Sequence, residues 1–155
     1  MIIKVLSGGQ TGVDKIGLEV ARAMKIETGG TAPKNWITEN GPDSTLKDFG
    51  LVESNFIGYL PRTQQNVLNS DGTVLYGDMT SSGSKITIDF LKNARKPYVI
   101  NPTIQQFVDF IINNDIKVLN VAGNRESVLG TNKSLEIRGL FLSSIMKLKD
   151  HFNQL

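Results

Sequence analysis

Two polar segments of this chain could hold an anion, and both are built from hydrogen-bond donors rather than proton-transfer pairs. The first is Ser7-Gly8-Gly9-Gln10-Thr11-Gly12-Val13-Asp14. It follows an apolar, β-branched run and precedes helical apolar spacing, so its main-chain N–H groups can point at one anion at a helix's positive end. Glycines there let an oxygen approach the main chain with no Cβ in the way. The pattern is neither GxGxxG nor GxxxxGK[ST], so dinucleotide binding and NTPase chemistry do not follow from it. The bland alternative is a tight turn capped by Thr11, with Asp14 favourable in the first helical turn. The second segment, Met79 to Lys85, gathers Thr80, Ser81, Ser82, Gly83 and Ser84 at another helix start, with Asp89 further along that helix. Its bland alternative is serine capping and a solvated Asp89.

Two other places follow the same logic more weakly. Arg62 and Asn66 are four apart, so they share a helix face. Arginine offers a rigid donor fork for phosphate, and Asn66 can both donate and accept toward a planar ring. Asn120 to Ser127 ends a strand, and Arg125 there could reach a bound phosphate. Lys34, taken alone, reads as a surface lysine. Trp36 suits either a stacking platform or a packing anchor. His151, near the end of the last helix, reads as a cap or an exposed side chain.

Composition narrows the chemistry further. With no cysteine among 155 residues there is no disulfide, thiolate nucleophile or thiolate metal site, and a single histidine excludes a multi-histidine site. No Asp/Glu cluster has metal-loop spacing, so no protein-ligated metal is expected. A net charge of +2, spread along the chain, leaves no footprint for nucleic acid. No apolar run is long enough for a membrane span, and MIIKVLSGG is too short for an export signal, so a cytoplasmic protein is expected. No Ser-His pair or two-carboxylate constellation stands out. Binding is argued more strongly than turnover.

The elements that must position these residues alternate. Strands are expected at Ile2 to Leu6, briefly at Thr28 to Thr31, at Thr73 to Tyr76, Pro97 to Ile100 and Lys117 to Val121. Helices are expected from Gly12 to about Lys25, over Lys85 to Lys92, through Ile104 to Ile112, and along a final stripe of Ile137, Phe141, Ile145, Leu148 and Phe152. Apolar strands alternating with helices predict one α/β domain, residues 1–155, with a mostly parallel sheet of about five main strands covered on both faces. Ile2 to Leu6 should be central. Residues 31–70 read as a loop-rich insertion with one short helix near Thr63 to Leu68. Ligands in such sheets bind beyond the carboxyl ends of the strands. Leu135, Leu140, Leu142 and Met146 make the last helix apolar beyond one face, which points to a homo-oligomer, a dimer or larger.

Taken together, these blocks resemble the molybdenum carrier family, which is similar to the algal molybdenum cofactor carrier protein. The resemblance rests on Ser7 to Asp14, Gly29-Gly30, Pro33-Lys34, Arg62-Thr63 with Asn66-Val67, and Ser70 to Thr73. It continues through Ser82-Gly83-Ser84 with Thr87 and Asp89, Lys96-Pro97-Tyr98, and Asn120 to Ser127. It implies a Rossmann-like, three-layer fold of the group that includes cytokinin-activating phosphoribohydrolases. It also implies a small phosphorylated ligand, either the molybdenum cofactor or a nucleotide. Gly8, Gly9, Gln10, Thr11, Gly12 and Asp14 would form one binding loop and Ser81 to Ser84 the other, with Lys34, Arg62, Asn66 and Arg125 contributing. Asp89 stands where the phosphoribohydrolases carry a catalytic glutamate. The resemblance thus leaves three functions: a carrier, a nucleoside-monophosphate phosphoribohydrolase, and a signalling-nucleotide sensor or sponge.

Overall fold

Apolar strands that must be covered on both faces, joined by amphipathic helices, fold here into three layers. The computed structural model describes residues 1–155. Along the chain run β1 (Lys4–Leu6), α1 (Val13–Ala23), β2 (Glu27–Ala32), β3 (Ile37–Thr38), β4 (Gly41–Pro42), β5 (Leu51–Glu53) and α2 (Leu60–Asn69). Then come β6 (Gly72–Tyr76), α3 (Ser82–Ala94), β7 (Tyr98–Ile100), α4 (Ile104–Asn113), β8 (Val118–Gly123), α5 (Glu126–Leu129) and α6 (Thr131–Asn153). Six strands form one sheet in the order β5-β2-β1-β8-β6-β7. Every neighbouring pair in it is parallel. β1 is central, as its apolar sequence predicts.

The insertion differs from expectation. It contributes β5, a sixth strand, which pairs with β2 through Gly30 to Ala32. Three residues after Gly50 carry no strand signal of their own; the exposed edge of β2 supplies their hydrogen-bond partners. The insertion also holds two 3₁₀ turns and the antiparallel β3–β4 hairpin. Leu46, Phe49 and Leu51 fasten it to Leu18 and Ala32 in a small core of its own, with Trp36 packed alongside. Trp36 is therefore a packing anchor. β2 is longer than its Gly29-Gly30 pair suggests. A Cβ at Gly30 would sit 2.2 Å from the Ser7 carbonyl oxygen, so glycine allows β2 to lie against the end of β1. The closing helix is split at Gly130 (φ 75°) into α5 and α6.

The two faces of the sheet are unequal. Beneath α1, α4 and α6 lies a core of 20 buried residues, including Phe107, Phe141 and Tyr76. Beneath α2 and α3 the buried hydrophobic cluster is only Val67, Leu75 and Leu91, with Met79, Ile88 and Phe90 partly buried against it. At ~1.5–3 kcal/mol per fully buried large side chain, the first face carries most of the hydrophobic stabilisation. On α6, Leu140 and Leu142 pack partly against this core, while Leu135 and Met146 stay exposed. No helix is long and apolar enough to cross a membrane.

Candidate functional site

Strand order decides which loops meet. β1, β8 and β6 are neighbours, so the loops at their carboxyl ends open side by side, where ligands of open parallel sheets bind.

The loop after β1 is organised by Asp14. Its carboxylate accepts from the Gln10 N–H at 3.2 Å and from Arg62 Nη1 at 3.2 Å, while Ser7 Oγ donates to its carbonyl at 3.0 Å. Burial pushes the Asp14 carboxyl above the usual range, against the opposing pull of the Arg62 guanidinium and the Gln10 and Gly8 N–H groups. Arg62 arrives from α2, and a Cβ at Gly8 would lie 2.0 Å from its Nη1. At Gly9 the obstacle would be Leu46, and at Gly12, whose φ is 79°, the Asn124 carbonyl oxygen at 2.4 Å. These three glycines were expected to expose main chain to a ligand; instead they admit the protein's own side chain, core and backbone. Thr11 Oγ1 donates to the Glu39 carboxylate and accepts from the Glu126 N–H. Hydrogen bonds from Ser127 and Thr11 hold the Glu39 carboxyl below its ordinary range. Gly9, Thr11 and Gly12 line a separate cleft of about 450 Å³ against α6, together with Lys15 and Arg138.

The loop after β6 is built differently. Ser81 caps α3 by accepting from the Ser84 N–H at 3.3 Å. A Cβ at Gly83 would meet nothing within 4 Å. Asn124, just past β8, binds the segment together: it accepts from the Asp78 N–H and donates to the Asp78 carbonyl at 2.9 Å and Ser81 Oγ at 3.2 Å. Gly77, at φ 107°, leaves room for that side chain, since a Cβ would lie 2.2 Å from Asn124 Oδ1. Beyond this cap, Ser82 and Gly83 in the first turn of α3 remain exposed.

Between the two loops lies a cleft of about 640 Å³, within the range of small-molecule sites. Of the residues expected at the site, Gln10, Asp14, Arg62, Ser81, Ser82, Gly83, Ser84 and Arg125 line it. Thr63 and Thr87, which carry the resemblance without an assigned binding role, line it too, as does Tyr59, which sequence reasoning misses. The Arg62 and Arg125 guanidinium carbons lie 5.5 and 5.6 Å from the centre of the Tyr59 ring, within cation–π range. Tyr59 was missed because its position in the insertion shows only in three dimensions.

Seven expected residues fall outside: Gly8, Gly9, Thr11 and Gly12, described above, and Lys34, Asn66 and Asp89. Lys34 is exposed on a 3₁₀ turn of the insertion. Asn66 is buried and commits its amide to the Thr31 backbone, accepting from N–H at 2.8 Å and donating to the carbonyl at 3.0 Å. It pins α2 to β2 instead of facing the cleft. Asp89 is exposed and lies outside the cleft. Thr87 faces inward, and two further residues rotate the helix by about 200°, which carries Asp89 to the far side. No three His, Cys, Asp or Glu residues come together as a metal would need.

Chemically the cleft is a collection of donors. Arg62, Arg125, the Ser81 to Ser84 hydroxyls and the α3 N-terminus can hold an anion, and Asp14, its one carboxylate, is already paired.

Comparison with known proteins gives the family and agrees with the fold. Residues 5–135 match the "Circularly permutated YpsA SLOG family". The crystal structure of "Putative molybdenum carrier protein" from Syntrophus aciditrophicus superposes with a TM-score of 0.77 at 31% identity, covering 95% of this chain and 94% of that one. (E)-4-Hydroxy-3-methyl-but-2-enyl diphosphate reductase reaches a TM-score of 0.40 at 14% identity, covering 94% of this chain and 59% of that one, which bears on nothing chemical. No curated protein matches the chain.

Proposed function

The chain belongs to the circularly permutated YpsA SLOG family, and from that premise we propose that it binds a small phosphorylated molecule, a nucleotide or a molybdenum-cofactor-like pterin, without transforming it. The observation that carries this reading is the convergence of Arg62, Arg125 and the α3 N-terminus on one cleft. The phosphate lies in this cleft between the Gln10 and Arg62 end and Ser81 to Ser84, where the α3 dipole favours negative charge. Arg125 contributes charge, and the Tyr59 ring offers a face to the planar part. The 31%-identical relative carries the name "Putative molybdenum carrier protein", which fits a role in holding a cofactor. Binding is favoured over N-glycosidic hydrolysis because Asp89 stands outside the cleft and Asp14 is engaged by Arg62.

Mass spectrometry of whatever accompanies the freshly isolated native protein tests the reading first, since a pterin and a nucleotide differ in mass and fragmentation. Calorimetric titration with adenosine monophosphate and adenosine tests it second. The monophosphate should bind and the nucleoside should bind more weakly. Binding of neither, with nothing phosphorylated accompanying the protein, would overturn it. Self-association through the exposed Leu135 and Met146 of α6 belongs to the same proposal; a monomer at high concentration in sedimentation would remove it.

A further inference from the structure

Gln10 is only 6% exposed and lines the cleft. Its Oε1 accepts from the Thr11 N–H at 3.0 Å and from the Glu39 N–H at 2.9 Å. Turning the amide over would set an NH₂ group against two N–H donors, so the protein dictates which end is which. Nε2 is then left buried with no partner in the protein. Arg62 repeats the pattern: Nη1 is on Asp14, while Nε is buried and unpartnered. Unmet buried donors are costly, and an acceptor supplied by a ligand relieves the cost. Asp14 Oδ2 already takes the Gln10 N–H and Arg62 bonds, so what the inner end of the cleft leaves unmet is these two donors.

We infer that Gln10 makes this inner end selective for a group that only accepts hydrogen bonds, namely a tetrahedral oxyanion such as a terminal phosphate. The inference rests on the binding function proposed above and adds the chemistry that the floor of the cleft selects. A nucleobase or pterin edge alternates donors with acceptors and would set its own N–H groups against Nε2 and the guanidinium. The oxyanion therefore enters first and the ring stays outside, toward Tyr59. Glu39 lies between the two strands of the β3–β4 hairpin, so the insertion sets the polarity of the amide and is a specificity element of the site.

The test is calorimetry with three probes, inorganic phosphate, adenosine monophosphate and adenosine, on the parent, Gln10→Glu and Gln10→Met. Gln10→Glu keeps the acceptor for Thr11 and Glu39 but replaces the donor with an anionic oxygen; Gln10→Met removes the amide at similar length with no change of charge, so it reads the loss of the donor by itself. Phosphate and the monophosphate should both weaken by roughly 10- to 100-fold in Gln10→Glu and by less in Gln10→Met, with adenosine unaffected. A monophosphate that binds no better than phosphate identifies a free oxyanion as the ligand, whereas a large gain identifies a nucleotide; either agrees with the inference. Unchanged phosphate and monophosphate binding in both variants would overturn it, as would adenosine weakening in step with the monophosphate. The side-chain amide resonances of Gln10 in the parent give a reading independent of variant folding: they should move when phosphate is added, and stationary resonances at saturation would overturn the inference alone. A parent that binds no probe would bring down the binding function and this inference together.

Discussion

The two glycine-containing loops look alike in sequence and differ in what their glycines face. After β1, Gly8, Gly9 and Gly12 are each closed off by protein: Arg62, Leu46 and the Asn124 carbonyl stand where a Cβ would go. After β6, Gly77 is likewise closed off by Asn124, but Gly83, at the start of α3, faces open space. The first loop is an internal joint that positions Asp14, Gln10 and Arg62, and the second leaves Ser82 and Gly83 exposed, which is where the proposed cradle lies. A glycine before a helix therefore signals close approach of something, and only the neighbours tell whether that is ligand or protein.

The largest separation between the loops should come from Gly12→Val. Its positive φ and the 2.4 Å approach to Asn124 leave a β-branched residue no room, and the loss should exceed about 4 kcal/mol or abolish folding. Chemical denaturation measures it, and a stable Gly12→Val protein would break the comparison. Next is Arg62→Ala, which leaves the 4%-exposed Asp14 side chain without its cation and should cost about 3–5 kcal/mol. Adding Asp14→Asn should recover part of that loss, because a neutral amide tolerates burial. No recovery in the double variant would show that the pair is not what holds the joint.

A smaller effect is expected at the open side. Arg125→Ala should weaken adenosine monophosphate binding by roughly tenfold while leaving the melting temperature nearly unchanged, since Arg125 has no ion-pair partner. A large drop in melting temperature would make it part of the joint. Titration sharpens the same contrast. The folded Glu39 carboxyl lies below its ordinary 4.5, so its contribution is present above that value and is lost as pH falls through the folded one. The Asp14 carboxyl is raised above 3.8, so it costs stability as pH climbs from there through its folded value. Parent and Glu39→Gln stabilities should accordingly converge toward acid pH, and equal stabilities at neutral pH would refute the Glu39 latch. The smallest effect is Gly83→Ala, which should change stability by less than about 1 kcal/mol, in the stabilising direction expected for alanine in a helix. It should still weaken phosphate binding if the cradle is the ligand site.

Much of this was legible in the chain. β1, β6 and α4 declare themselves because a strand buried on both faces must be apolar throughout and an amphipathic helix must repeat its apolar residues at 3.6 spacing. Gln10, Ser81 to Ser84 and Arg125 could be singled out because polar segments directly after such strands have few structural reasons to be there. Asp89 was misplaced because a family position names a residue type, whereas the phase of α3 against the sheet decides where its side chain points. Tyr59 carries no usable signal, since a tyrosine in a loop is ordinary until its partners are known; Asn124 falls in the singled-out Asn120 to Ser127 segment, but its bonds to Asp78 and Ser81 show only in the fold.

The sequence by itself determined the layers, the parallel strands and the carboxyl-edge location of the polar loops, because each of these follows from burial patterns a few residues long. The tertiary structure decided the order β5-β2-β1-β8-β6-β7, the sixth strand, and the passage of Arg62 beside Gly8 to reach Asp14. Those contacts join residues 48 positions apart in the Arg62–Asp14 pair and 115 apart between Thr11 and Glu126. Local propensity does not reach that far; the packing of whole elements does.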